Sequence, residues 1–236
     1  MAEFVGDYRW FENLSARHWK DYISPLFMDR ADAVRYLEVG VAEGASLCWA
    51  LENWGRPGGL FVGIDPFLNS RHWHKGEGNR HLERTLANVS AWYGQPIPMN
   101  PASDWQWDAE GRPGCEVHRE SSQAYLKTES RAFDAIYIDG QHDADNALLD
   151  ILLGFRLLRD GGVLIVDDVD RKIRGGRPQV WQAVEAFKWT HEGYFDPLYA
   201  HQKQVAFVKR PRRRRGYPPT MIQGPVIEPT GESPDA

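Results

Sequence analysis

Asp139, Asp167 and Asp168 are carboxylates placed where they could hold a metal ion, and His142 stands three residues past the first of them. Asp139 closes the apolar run F-D-A-I-Y-I, and Asp167 and Asp168 close G-V-L-I-V. Both runs read as strands buried on both faces. If the two strands are neighbours, their ends lie on the same sheet edge and the three carboxylates converge. Unpaired, such a group repels itself and raises its own pKa values. A divalent cation removes that cost, and oxygen ligands select a hard ion such as Mg²⁺. The alternative is that Asp167 or Asp168 caps a loop and Asp139 orients a ligand's amine. An imidazole at position 142, with an ordinary pKa of about 6.5, can take a proton at neutral pH. Its alternative is a histidine at a helix start with no chemistry.

A second constellation lies earlier in the chain. Y-L-E-V-G-V-A-E-G-A-S carries Glu38, Gly40, Gly44 and Ser46, and L-F-V-G-I-D ends in Asp65. Gly40 and Gly44 bracket the turn after an apolar strand. Without Cβ atoms they let backbone amides approach a ligand, and the positive end of the following helix favours a carboxylate. Ser46 can donate its hydroxyl to the same group. Asp65, at the end of the next strand, can accept both hydroxyl protons of a ribose. Position 42 is alanine, so the spacing departs from the dinucleotide G-x-G-x-x-G and favours a single ribose. A tight turn beside a solvated aspartate is the plainer alternative.

The elements that must position these residues follow in order. Aromatic and aliphatic residues at spacings of three and four over 9–30 predict an N-terminal helical segment broken at Pro25. Strands are expected at 34–39, 60–64, around Cys115 and at 133–138. A fifth follows the turn R-D-G-G at 159–162, and two late strands at 194–200 and 204–209 form an antiparallel hairpin at one edge. Helices are expected at 43–54, 79–92, 142–158 and 180–191. Alternating strand and helix implies an α/β fold with a doubly wound parallel sheet and right-handed crossovers. The expected organisation is an N-terminal helical segment (1–32, a lid or interface) and one catalytic domain (33–210) with a loop insertion at about 68–114. A disordered basic, Pro-rich tail (211–236) follows.

At 236 residues with 42% hydrophobic content, the chain can form one three-layer domain. The N-terminus carries no basic and apolar export signal, and no apolar stretch of about 18 residues could span a membrane. The expected location is therefore cytoplasmic, with Cys48 and Cys115 as core thiols. Net charge is −5, and the basic run at 212–215 stands against an otherwise acidic body. An acidic body is a poor surface for nucleic acid, so the run reads as a solvated tail. His72, His74 and His81 lack the acid or cysteine that would complete a zinc site, and read as loop histidines. Trp73, Trp105 and Trp107 would suit a wall for a planar phenol or a sugar face, or equally serve as loop anchors or a subunit contact.

The ordered motifs resemble those of class I S-adenosylmethionine-dependent methyltransferases. L-E-V-G-V-A-E-G-A-S is similar to their first motif, G-I-D-P-F to the second and R-E-S-S-Q-A-Y-L to the third, which contacts adenine. F-D-A-I-Y-I-D-G-Q-H and L-L-R-D-G-G-V-L-I-V-D-D resemble the fourth and fifth motifs of the metal-dependent branch that includes catechol and sugar O-methyltransferases. The resemblance covers about 36–209. It implies a Rossmann-like methyltransferase fold with a mostly parallel seven-stranded sheet, order 3-2-1-4-5-7-6, the last strand antiparallel. It implies that Glu38, Gly40, Gly44 and Ser46 line the methionine end of the cofactor. Asp65 would hold the ribose, and Ser121 and Ser122 would lie at the adenine. Asp139 would contribute to the cofactor site and, with Asp167 and Asp168, bind the metal, while His142 would serve as general base. The expected function is Mg²⁺-assisted O-methylation of a small hydroxylated molecule. A nucleic-acid methyltransferase is one alternative, motivated by the arginine run but lacking an N-P-P-Y type motif. A non-catalytic binding module is the other. A homo-oligomer is compatible with the aromatic N-terminal segment.

Overall fold

The computed structural model describes residues 4–6, 11, 15–68, 77–93, 96–101, 111–172, 176–201 and 203–211. His72, Trp73, His74, Trp105, Trp107 and the basic run at 212–215 lie outside them. Seven strands, β1 (Arg35–Val39), β2 (Leu60–Ile64), β3 (Gly114–His118), β4 (Phe133–Ile138), β5 (Leu158–Val166), β6 (Phe195–Ala200) and β7 (Val205–Lys209), form one sheet in the order β3-β2-β1-β4-β5-β7-β6. The first five run parallel, and β7 is antiparallel to both β5 and β6. This is the order and strand sense expected of a class I methyltransferase.

The strands are apolar along their length because both faces are covered. Successive side chains alternate between two cores. Tyr36, Phe61, Cys115, Ala135, Tyr137 and Ile165 face one core with Trp49 and Trp54 of α2 (Ala45–Trp54). Leu37, Val62, Ile136, Ile138 and Leu164 face the other. That second face is covered by α5 (Ala144–Leu157) through Ile151 and Phe155, and by α6 (Gln179–Thr190) through Phe187. Both cysteines are free and buried.

Local structure agrees with the expected break at Pro25 and departs from expectation in two places. Pro25 starts a short helix, α1 (Pro25–Met28), after a π-helical turn (Trp19–Ile23), because its missing N–H costs nothing in a first turn. R-D-G-G lies within β5 as an irregularity: Phe133 pairs with Leu158 and Ala135 with Val163, so the extra residues loop out between two pairings. A short helix, α4 (Ser122–Thr128), follows β3 where no helix was expected, capped by the Ser121 hydroxyl accepting from Ala124 N. The remaining helix is α3 (Glu77–Tyr93).

Trp19 ties the N-terminal segment to the sheet. It is fully buried, stacks on Trp54 at 5.2 Å between ring centroids, and meets Tyr137 edge-on at 4.9 Å. Its indole N–H donates to Gln204 Oε1 at 2.9 Å. No helix among the described residues is long and apolar enough to cross a membrane.

Candidate active site

The carboxyl ends of β1, β2, β4 and β5 meet at one edge, and the turn after β1 is its centre. Gly40 takes φ +89°, and a Cβ there would run into the Asp139 carbonyl. Only glycine permits this approach of β1's end to β4's. Gly44, at φ +84°, opens α2. Between them Ala42 also takes a left-handed conformation, φ +48°, which a side chain disfavours. Its amide donates to Asp65 Oδ2 at 3.0 Å and its carbonyl accepts from Thr85 Oγ1 of α3, so the turn is braced from two sides. Asp65 also accepts from Phe67 N at 2.6 Å. Burial nonetheless raises its pKa, against the opposing pull of these amides.

Glu38 is fully buried, and its carboxylate accepts from Tyr36 Oη and Ser46 Oγ. Desolvation outweighs the two hydroxyls and lifts its pKa to about 8. A buried acid left so close to neutrality is suited to receive a cationic group, which would recover the charged form.

Asp139, His142 and Asp168 form the cluster able to hold a metal ion among the described residues, with one ligand atom from each lying within 4.8 Å of the others. His142 Nε2 is 2.8 Å from Asp168 Oδ2 and 3.8 Å from Asp139 Oδ1. Arg171 donates to Asp168 Oδ2 at 2.7 Å. Burial, then repulsion from Asp167 and Asp168, lifts Asp139 to about 7 despite its histidine partner. Burial would lower His142, but the two carboxylates carry it to about 9. Asp168 falls to about 2, because His142 and Arg171 override its burial. The backbone of Asp168 is left-handed, φ +53°, which is strained for a non-glycine residue. Two carboxylates and an imidazole fit a divalent cation. Asp167 lies outside this cluster. It is buried behind it, accepting from Tyr137 Oη, from Gln204 Nε2 at 3.0 Å and from Asp168 N at 2.7 Å.

Ser121 and Ser122 both have partners within the protein. Ser121 caps α4, and Ser122 Oγ donates to Asp150 Oδ1 at 2.7 Å. Asp150, on α5, is 1% exposed, and its Oδ2 has no hydrogen-bond partner. Burial raises its pKa to about 6. His81 pairs with Glu43 across 3.5 Å and is not part of the metal-competent cluster. Sequence reasoning did not assign Gln204, Thr85 or Asp150. They come from β7's approach, α3 and α5, and no local spacing links them to the glycine turn.

A methyltransferase-domain family model matches residues 37–169, more than half of the chain. No curated protein sequence matches it. Among solved structures, an O-methyltransferase from Bacillus cereus in complex with S-adenosylhomocysteine is 18% identical. It covers 80% of this chain and 77% of its own length, with a TM-score of 0.52. The methyltransferase MycE of the mycinamycin pathway, solved with Mg, S-adenosylhomocysteine and mycinamycin VI, is 16% identical. It covers 91% of this chain and 53% of its own, with a TM-score of 0.52. A candidate rRNA methylase from Clostridium thermocellum is 12% identical, covering 85% and 96%, with a TM-score of 0.54. At these identities the neighbours show a shared fold. With the family match and the sheet order, the chain belongs to the methyltransferase-domain family and is a class I S-adenosylmethionine-dependent methyltransferase.

Proposed function

We propose that the methyl acceptor is a hydroxyl oxygen on a small molecule, held by a divalent cation at Asp139 and Asp168 with His142 beside them. The observation that carries this reading is the convergence of those three side chains at the sheet edge occupied by the glycine turn and Asp65. When bound, S-adenosylmethionine supplies an electrophilic sulfonium methyl. Glu38, Gly40, Gly44 and Ser46 receive its methionine end, Asp65 its ribose, and Ser121 and Ser122 border its adenine. Asp139 would serve both the cofactor site and the metal. A cation such as Mg²⁺, when bound, acidifies and orients the acceptor hydroxyl. Asp167 has a supporting place in this proposal: its bonds to Tyr137 and Gln204 fix the segment that presents Asp168.

His142 is the proposed proton acceptor. With a pKa of about 9 it holds a proton at pH 7, because Asp139 and Asp168 stabilise the imidazolium. Base chemistry therefore needs those carboxylates to be neutralised by another cation, which makes the metal and the base one hypothesis. MycE, solved with Mg and mycinamycin VI, gives a fold-level parallel to this chemistry.

The test is transfer of labelled methyl from S-adenosylmethionine to a panel of catechols, phenols and hydroxylated sugars, with and without EDTA. Transfer to a small acceptor that EDTA stops and Mg²⁺ restores is the expected result. Transfer indifferent to EDTA removes the metal, and label appearing in RNA in place of every small acceptor removes the acceptor class.

A further inference from the structure

At the amino end of the sheet, the pole opposite the candidate active site, Arg30, Arg35 and Arg159 line one open cavity of about 730 Å³ together with Asp32, Ala33, Gly58 and Leu60. The cavity sits at the starts of β1, β2 and β5, with Arg30, Asp32 and Ala33 on the segment that leads into β1. Behind it Asp134, 1% exposed, is a fixed internal anion. It accepts from Arg35 N at 2.9 Å and is bridged by Arg30 at 2.8 Å and Arg159 at 3.3 Å.

Arg35 differs from its two neighbours. Its backbone amide is bound by Asp134, but among the described residues its guanidinium makes no hydrogen bond or ion pair. Nearby Arg131 offers no comparison, because Glu116 and Glu129 hold it. Half-burial, followed by the charges of Arg159 and Arg131, pulls the Arg35 pKa below its usual value. Three guanidiniums thus face two carboxylates, one of them buried, and the surplus positive charge is held partly out of water. Arginine forks match the paired oxygens of a phosphate, and two of the three are already oriented by Asp134.

We propose that this cavity is a second ligand site, distinct from the methyl-transfer site, which binds a phosphate-bearing small molecule through Arg30, Arg35 and Arg159. Arg35 is the residue whose charge the ligand completes. The proposal does not depend on the identity of the methyl acceptor, and its test reads binding without turnover.

The experiment is isothermal calorimetry and thermal unfolding of the full chain with inorganic pyrophosphate at constant ionic strength, in wild type and Arg35→Gln. Wild type should bind and gain melting temperature. Arg35→Gln should bind at least about tenfold more weakly. Without the anion it should still unfold cooperatively, and it should bind S-adenosylhomocysteine as wild type does. A nucleoside diphosphate as a second probe distinguishes sources: tighter binding than pyrophosphate that still depends on Arg35 assigns the site to an organic phosphate, and equal binding assigns it to the free anion. No binding by wild type, or equal binding by Arg35→Gln, overturns the proposal. If Arg35→Gln fails to fold, Arg35→Lys takes its place. It keeps the charge but loses the fork, so undiminished affinity in that variant would also overturn it.

Discussion

Among the described residues Glu38 has no cationic partner, and its carboxylate is met by the hydroxyls of Tyr36 and Ser46. A folded pKa of about 8 against an ordinary 4.5 means that the unfolded chain releases this proton first. The contribution to stability is therefore complete below about pH 4.5 and declines as pH rises towards 8, by up to about 1.4 kcal/mol per pH unit. Glu38→Gln should remove that component. Urea denaturation at pH 5.5, 6.5 and 7.5 should show the variant gaining on wild type at each step, while its affinity for S-adenosylmethionine falls. A constant difference across the series would contradict the assigned pKa. At the metal-competent cluster, Asp168→Ala is expected to lower turnover by about a hundredfold or more and leave cofactor binding nearly unchanged. A calorimetric affinity that collapsed along with kcat would place Asp168 in the cofactor site instead.

At the scale of elements, the turn between β1 and α2 is held open by neighbours. Asp65 closes β2 and accepts from Ala42 N and Phe67 N, both residues with positive φ. One carboxylate therefore stabilises two strained backbone positions on two different connections. Asp65→Ala should cost about 1–3 kcal/mol in unfolding free energy. It should also speed hydrogen exchange at the Ala42 and Phe67 amides more than elsewhere. A uniform acceleration would mean that Asp65 has no local bracing role. The sequence showed Gly40, Gly44 and Asp65 as a set because strand, turn and strand repeat a spacing tied to backbone geometry. It did not show that Ala42 is left-handed, since alanine carries no mark of positive φ and only Asp65 and Thr85 make that conformation tolerable.

Across the whole molecule, ion pairs and aromatic contacts join segments far apart in the chain. Glu116 of β3 is buried. Desolvation would raise its pKa, but His118 and Arg131 bring it down to about 2. Its contribution to stability is thus present above about pH 4.5 and is lost as pH falls towards 2. Glu116→Gln should cost roughly 1–3 kcal/mol at neutral pH and make unfolding less sensitive to acid over that window. An acid transition unchanged from wild type would rule the pair out as its source. Trp19 joins the N-terminal segment to the sheet and, through Gln204, reaches Asp167. Trp19→Ala should destabilise by about 3–5 kcal/mol.

The strand order followed from the resemblance to class I methyltransferases, whereas the chain's own residues determined the strands, the glycine turn, the acid at the end of β2 and the aspartates at the ends of β4 and β5. Each is written in local periodicity: apolar runs mark strands buried on both faces, and the residue after each run falls at the carboxyl edge. Only tertiary structure decided which of the three aspartates faces the open edge. Asp167 and Asp168 are adjacent in sequence, and their side chains part because the backbone at Asp168 turns left-handed while Tyr137 and Gln204 draw Asp167 inward. The pairing of His142 with Asp168, the bond from Ser122 to Asp150 and the arginine-lined cavity at the opposite pole were likewise decided there. Those contacts depend on how helices and distant strands pack, and linear spacing carries no record of them.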